Sequence, residues 1–462
     1  MMVMPPACWP TRGFLVGAAL TTPFLVNIVP TWIAALFALP LLADIAFRGI
    51  RLRAAFRLTP LLGIIYALAL ANLLAIETTP YKINVVYAMI WSGATVGLFL
   101  LAMDEQDRPD EIIKGLFSCL APIAALFAVA GLIKHVLQIE GYVFASLIDT
   151  CVSGYPQGTS FCGDYNLYAL FLAVGAIGLS VIVLSRKHSI WMTGLLLVAL
   201  SAVLCAGFYV GSRRFMFVVL LVPMLWVAYA LWSRPPKEVL GLALIPLIVT
   251  SALYAGVNQR AEAMSDYRNI AIEEVVADWF SKVIGHTAEV REDPREEAAY
   301  EEPKKDVHWP RTVSPEGLAK TMTPSEGFGL ASRLDRWSLG LQLVEENNYV
   351  SGSGFSYHEV FACRFVNCEH IDYPHSPILS AWIGFGIVGL LLALGFYAVT
   401  IYNLFVAGKA GLLSGASAVT LAVMPYSFIS GDTIFSLPHT MIGALLIEVS
   451  ARTARRTESS GQ

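Results

Sequence analysis

The sequence predicts an all-α polytopic membrane protein with about twelve transmembrane helices and one large, mostly helical external loop. Three observations carry that reading. The chain of 462 residues is 56% hydrophobic and only 14% charged, well below the charge content of a soluble domain. Its apolar residues gather in repeated runs of bilayer length, and hydrocarbon forces such runs into helices because it cannot satisfy a free backbone amide. A single polar stretch, residues 257–374, carries most of the acidic charge and separates two apolar blocks.

The apolar runs fall at 13–29, 31–47, 59–76, 83–103, 115–137, 166–185, 190–210, 215–232, 238–256, 377–407, 411–429 and 433–450. The first two meet at a tight turn around Pro30. Arg12 followed by an apolar run imitates a signal peptide, but no small-residue cleavage site ends the run, so a retained helix is expected. The run at 377–407 is long enough to tilt or to begin outside the bilayer. The chain thus divides into helices one to nine (1–256), a loop (257–374), and three further helices with a tail (375–462).

Lysine and arginine set the orientation. With both ends on the cytoplasmic side, the inner face receives Arg12, Arg48, Arg51, Arg53, Arg57, Arg108, Lys114, Arg186, Lys187, Arg234, Lys237, Lys409, Arg452, Arg455 and Arg456. The outer face receives only Lys82, Lys134, Arg213 and Arg214. The long loop then faces outward. Cys151 and Cys162 share one outer loop, and Cys363 and Cys368 share the large one. On an oxidising side these are two possible disulfides, the alternative being four free thiols. Cys119 and Cys205 fall within spans. The near-neutral charge gives no reason to expect nucleic acid, and no Cys/His spacing resembles a zinc site.

Within the loop, Ile272, Val275, Val276, Trp279, Phe280 and Val283 repeat at helical spacing, as an amphipathic helix on a membrane surface would. Residues 287–311 are rich in Glu, Lys, Arg and Pro and predict a solvated stretch. Leu334, Trp337, Leu341 and Val344 predict a second helix with one apolar face. A glycine-rich turn follows at Ser351, Gly352 and Gly354. The loop is too poor in apolar residues for a large core of its own.

A few polar residues stand out. Arg213 and Arg214 occupy a minimal outer turn against the positive-inside trend. They are either snorkelling at the interface or an anion site, since the guanidinium fork suits phosphate oxygens. Arg333 and Arg336 open the second loop helix, as a solvated face or as further anion ligands. His375, in Tyr373-Pro374-His375-Ser376, stands at a helix start, either bonded to backbone or as a base near neutral pH. His358, His370, Glu326, Glu345 and Glu346 are weaker candidates.

The order of these motifs resembles the O-antigen ligase and O-antigen polymerase superfamily. The resemblance rests on Arg333 and Trp337 at the head of a loop helix, then Gly352-Ser353-Gly354, then His375-Ser376 leading into a span, then Gly386-Ile387-Val388-Gly389 inside it. Upstream, Ser212-Arg213-Arg214 resembles the family's Ser-Arg turn, and Gly163-Asp164-Tyr165-Asn166 its Gly-x-x-Asn entry. The likeness covers spans six to ten and the large loop. Two departures stand in it: Ser376 replaces the commoner Asn, and the acidic insert 287–325 is longer than the family pattern.

The resemblance implies a GT-C-like glycosyltransferase of the bacterial inner membrane, working at its periplasmic face without metal or cofactor. The donor would be a glycan on undecaprenyl diphosphate. The acceptor would be lipid A-core or a similar glycolipid for a ligase, or a second lipid-linked repeat for a polymerase. A protein oligosaccharyltransferase is a rarer member. With no metal, fixed arginines must stabilise the diphosphate leaving group. Arg214 and Arg333 are the first choices, with His375 acting on the acceptor hydroxyl, and with Arg213, Arg336 and Asn166 as further substrate contacts. One dominant loop favours a ligase over a polymerase. A transporter or flippase is a different class, but it would place ionisable residues near the midplane and show internal repeats, and neither is seen.

Overall fold

The computed structural model describes residues 11–25, 28–29, 31–48, 59–74, 109–136, 158–161, 165–185, 188–210, 212, 215, 246–257, 330–346, 349–353, 361, 365, 373–409, 415–429 and 438–460. All regular structure among them is helical. In chain order the helices are α1 (Arg12–Ala19), α2 (Thr22–Leu25), α3 (Thr31–Ala35), α4 (Leu39–Arg48), α5 (Pro60–Leu74), α6 (Pro109–Val136), α7 (Tyr165–Ser185), α8 (Ile190–Tyr209), α9 (Pro246–Val257), α10 (Leu330–Glu346), α11 (Pro377–Lys409), α12 (Gly415–Ile429) and α13 (Pro438–Ser460). Four of them, the segments Pro109–Val136, Tyr165–Val183, Ile190–Tyr209 and Pro377–Gly408, are long and apolar enough to cross a bilayer. The chain is a helical membrane protein.

Several expected boundaries hold closely, notably 59–76, 166–185 and 190–210. The first two apolar runs do not form two continuous helices. They are cut into α1 to α4. Proline explains the cuts, since it lacks the amide for the preceding turn, and Pro23, Pro30 and Pro40 recur along the stretch. Thr22 Oγ1 donates to the Ala34 carbonyl at 3.1 Å and fastens the two arms together near their turn. The last run extends beyond 450 to Ser460. There Arg452 pairs with Glu448 at 3.1 Å, one helical turn away, and Arg455 donates to Asn403 on α11 at 3.4 Å. The expected span at 83–103, that at 215–232 apart from Phe215, the helix over 272–283 and the insert 287–325 lie outside the described residues.

Small residues set the helix packing, as they must where lipid is as apolar as the side chains. Gly13 and Gly17 of α1 face Glu111, Gly115 and Leu116 of α6. A Cβ on Gly115 would stand 2.7 Å from the Phe14 Cα, so the backbones touch. α1 and α6 therefore run parallel. α7 runs back along α6: Tyr168 donates to the Phe127 carbonyl at 3.1 Å, and Gly178 lies against Phe117.

These pairings give the bundle two distinct ends. Gly415, just past α11, packs on Ile113 and Phe117 near the start of α6. α11 therefore finishes where α6 begins, and α11 begins where α6 finishes. The start of α11, the end of α6, the start of α7 and the end of α8 thus share one end of the bundle, which carries His375.

α11 is not straight. Gly386 has φ +63° and ψ −152°, which breaks the helix into a short half from Pro377, the outer one in that it lies at the end of the bundle, and a longer half that follows. The expected run 377–407 coincides with α11, and what interrupts it is a break at Gly386. The turn at Tyr349–Ser353 inserts beside it. Ile387 N donates to the Val350 carbonyl at 3.2 Å, and Ser353 N donates to the Ile383 carbonyl at 2.8 Å. Trp382 Nε1 donates to the Tyr349 carbonyl at 2.9 Å. A Cβ on Gly386 would collide with the Val350 carbonyl. Gly386→Ala combines that collision with a left-handed φ that costs a non-glycine residue on the order of 1–3 kcal/mol. Thermal unfolding of the detergent-solubilised protein is expected to show a clear fall in midpoint for this variant and almost none for Gly194→Ala, where a Cβ meets open space.

Candidate functional site

α10 and the outer half of α11 build a small core apart from the main bundle. Leu343, Val344, Phe361, Leu379 and Ile383 are buried in it, with Trp337, Tyr373 and Trp382 against them. Ile378 and Ala381 belong instead to the main core. The outer half-helix is therefore sandwiched between the bundle and α10. The loop carries a second helix with a minor core, as its sparse apolar content predicts.

The apolar face of α10 is not quite the expected one. Leu341 is exposed, whereas Leu343 is buried beside Val344. The reason is Gly340, which lets the helix approach Leu379 and Pro374 closely and centres the packed face on itself. At 3.6 residues per turn, Arg336 then occupies a register position on the packed side of α10. Arg336 is not on a solvated face.

Arg336 Nη1 lies 2.7 Å from His375 Nε2. A guanidinium can only donate, so Nε2 is an acceptor and His375 is held neutral with its hydrogen on Nδ1. The Tyr373 ring stands against the imidazole at a centroid distance of 4.4 Å. His375 itself has φ +55°, uncommon for a non-glycine residue. That turn reverses the chain between Pro374 and the helix start, where Ser376 Oγ accepts from Leu379 N at 3.4 Å. The imidazole is thus positioned by a backbone turn, an aromatic neighbour and a guanidinium.

A second pair joins at the same end of the bundle. Ser212 Oγ donates to Asn166 Oδ1 at 2.9 Å. This bond links the start of α7 to the turn after α8, and so links the two upstream motifs singled out in the sequence. A third contact supports them. Lys134, buried at the end of α6, donates to the Ser160 carbonyl at 2.7 Å, and Thr159 Oγ1 donates to the Ala206 carbonyl at 2.7 Å. The 158–161 segment is thereby stitched to α6 and α8 just ahead of Asn166.

The structure brings Arg336 to His375, and Asn166 to Ser212. Arg333 sits in the α10 backbone one turn before Arg336. Arg213, Arg214, Cys151, Cys162, Cys363 and Cys368 lie outside the described residues; Arg213 and Arg214 directly follow Ser212 in the chain. Cys119 and Cys205 are free thiols within helices. Sequence reasoning missed Tyr373 and Lys134 as positioning groups. Tyr373 was legible as an aromatic two residues before the histidine; Lys134 was visible only as a charge near a helix end.

No protein-family model and no curated protein matches the chain.

The minor core is what holds Arg336 on His375, so it can be tested directly. Leu343→Ala removes a buried side chain, a change costing about 2–5 kcal/mol in a packed core. Faster proteolysis between 330 and 376, with the main bundle still intact, is the expected outcome of timed digestion followed by mass spectrometry. An unchanged digestion pattern would show that α10 is held by other means.

Proposed function

We propose that this chain is an O-antigen ligase-like glycosyltransferase of the bacterial inner membrane. It moves a glycan from undecaprenyl diphosphate to lipid A-core or a similar glycolipid at the periplasmic face. The observation that supports this best is the guanidinium of Arg336 on the imidazole of His375, at the end of a helical membrane bundle that also holds Asn166 and Ser212. Under this reading the chain has twelve spans, its two ends face the cytoplasm and residues 257–374 are periplasmic.

The chemistry needs two things at one anomeric carbon. The acceptor hydroxyl must lose a proton as it attacks, and the departing diphosphate must be stabilised. A neutral histidine fits the first task. Preorganised arginines fit the second, as fixed positive charge in a site poor in water. His375 takes the proton; Arg214 and Arg333 hold the diphosphate, assisted by Arg213 and Arg336. Asn166 and Ser212 fix the turn that carries Arg213 and Arg214. The reaction needs no metal or cofactor in this scheme.

Transfer of a labelled glycan from undecaprenyl diphosphate to a lipid A-core acceptor by the purified protein tests the reading. Arg214→Ala or Arg333→Ala is expected to slow transfer on the order of 10²–10³-fold, by analogy with loss of one transition-state donor. Arg214→Lys restores only part of it, because a point charge cannot reproduce the bidentate fork. His375→Ala impairs transfer and leaves donor binding nearly intact. If the triple alanine variant transfers at the wild-type rate, the proposal is wrong. Product on a second lipid-linked repeat instead of lipid A-core would assign the polymerase reaction.

The orientation is tested separately. A reporter fused after Gln462 is expected to be active only in the cytoplasm, and one inserted near residue 300 only in the periplasm. The opposite pattern would overturn the proposed active-site face.

A further inference from the structure

α11 carries two kinds of surface. From Pro377 to Gly386 it exposes no large apolar side chain. From Ile387 onward it exposes Val388, Leu391, Leu394, Tyr402 and Phe405. The change falls at the break. The half that follows the break, as far as Lys409, is about 33 Å long at 1.5 Å per residue, and the hydrocarbon core of a bilayer is about 30 Å thick. That half crosses the core by itself. α6 gives the same height independently. Its start lies beside the end of α11, where Gly415 meets Ile113. Its last exposed large apolar side chain is Ile133, about 30 Å further along. At the His375 end, the edge of the hydrocarbon therefore passes close to Ile133 and Ile387.

The turn at Tyr349–Ser353 sits on that edge, because Ile387 N donates to the Val350 carbonyl at 3.2 Å. Its tip is apolar and bare: Val350 is 67% exposed and Tyr349 49%. Tyr349 also has φ +61°, a conformation that a chain leaving a helix usually gives to glycine or asparagine. A bulky side chain kept there at a conformational cost points to a use for that side chain.

We propose that this turn is a lipid anchor: Tyr349 and Val350 enter the boundary between headgroups and acyl chains and fasten the external segment to the bilayer. The occupant is the bilayer itself, because the two side chains are level with, and adjoin, the lipid-facing strip that begins at Ile387. Trp382 completes the patch. Its Nε1 donates to the Tyr349 carbonyl at 2.9 Å, and the two rings stand 6.3 Å apart. Tyrosine and tryptophan are the side chains that this interface favours, with an apolar body and a polar tip. α10 is then held twice, by the minor core along its length and by lipid just past its end. The half-helix from Pro377 rises from the edge, so His375 stands up to about 15 Å beyond the hydrocarbon. The anchor depends neither on the transferase reading nor on which leaflet it enters.

The protein reconstituted into vesicles of phosphatidylethanolamine and phosphatidylglycerol tests this in two ways. In the first, a benzophenone amino acid replaces Val350, Leu391 or Leu341 in turn. Peptide mass spectrometry after irradiation then reads what each position captures. Leu391 lies within the lipid-facing strip; Leu341 is exposed on α10 near the start of the half-helix. Position 350 is expected to capture phospholipid, as position 391 does, at a yield about fivefold or more above position 341. A smaller excess, or capture of protein in place of lipid, overturns the anchor. The second measurement uses the unsubstituted protein. Hydroxyl radicals made in the water phase oxidise tyrosines that water reaches, and Tyr402 in the strip is the internal standard. Tyr349 is expected to oxidise within about fivefold of the Tyr402 rate, as a ring withdrawn into the interface should. A faster rate overturns the anchor, and this comparison decides the question even where a substituted protein misfolds.

Discussion

The arrangement of this site depends on one constraint: a helix broken inside a membrane protein must have its freed backbone groups satisfied. Gly386 breaks α11. The amide of Ile387 and the carbonyl of Ile383 are then taken up by Val350 and Ser353 of the turn at Tyr349–Ser353. That turn is the continuation of α10. Once it is seated, α10 lies along the outer half-helix, Leu343 and Val344 meet Leu379 and Ile383, and Arg336 arrives at His375. The glycine inside the span and the histidine before it are thus connected by the loop between them. A straight α11 would leave the turn without its partners and α10 without its anchor.

Much of this was legible in the sequence, and the rest was hidden for physical reasons. Run length and apolar content located α5, α7 and α8, because a bilayer dictates both. The loop helix, from Arg333 on, and the turn at Gly352 were also readable from periodicity and glycine. The break at Gly386 was not, since a glycine in an apolar run looks the same whether it packs a helix or interrupts one. Only the positive φ and the close Val350 carbonyl distinguish the two cases. The first two runs misled for a related reason: hydropathy counts proline as a tolerated interruption, while the backbone does not.

The site shows the same division. His375 stood out because an imidazole at a helix start has no packing role to explain it. Arg336 stood only as a neighbour of Arg333, since charge alone does not say which face of a helix a residue occupies. The burial of Leu343 in place of Leu341 settles the face, and it does so through Gly340, whose missing side chain lets α10 turn toward Leu379. One small residue therefore decides whether Arg336 looks at water or at the histidine.

The two ends of the bundle differ in how they use charge. At the end away from His375, Glu448 pairs with Arg452 one turn along α13, and Arg455 reaches Asn403 and so fastens α13 to α11. At the His375 end the described cation–partner contacts are of another kind. Lys134 bonds a backbone carbonyl, and Arg336 bonds an imidazole. Neither partner carries a negative charge. Those two bonds hold the cations by dipoles. The described contacts of the two ends thus differ in kind: side chain to side chain across α11 and α13 at one, cation to backbone carbonyl or imidazole at the other.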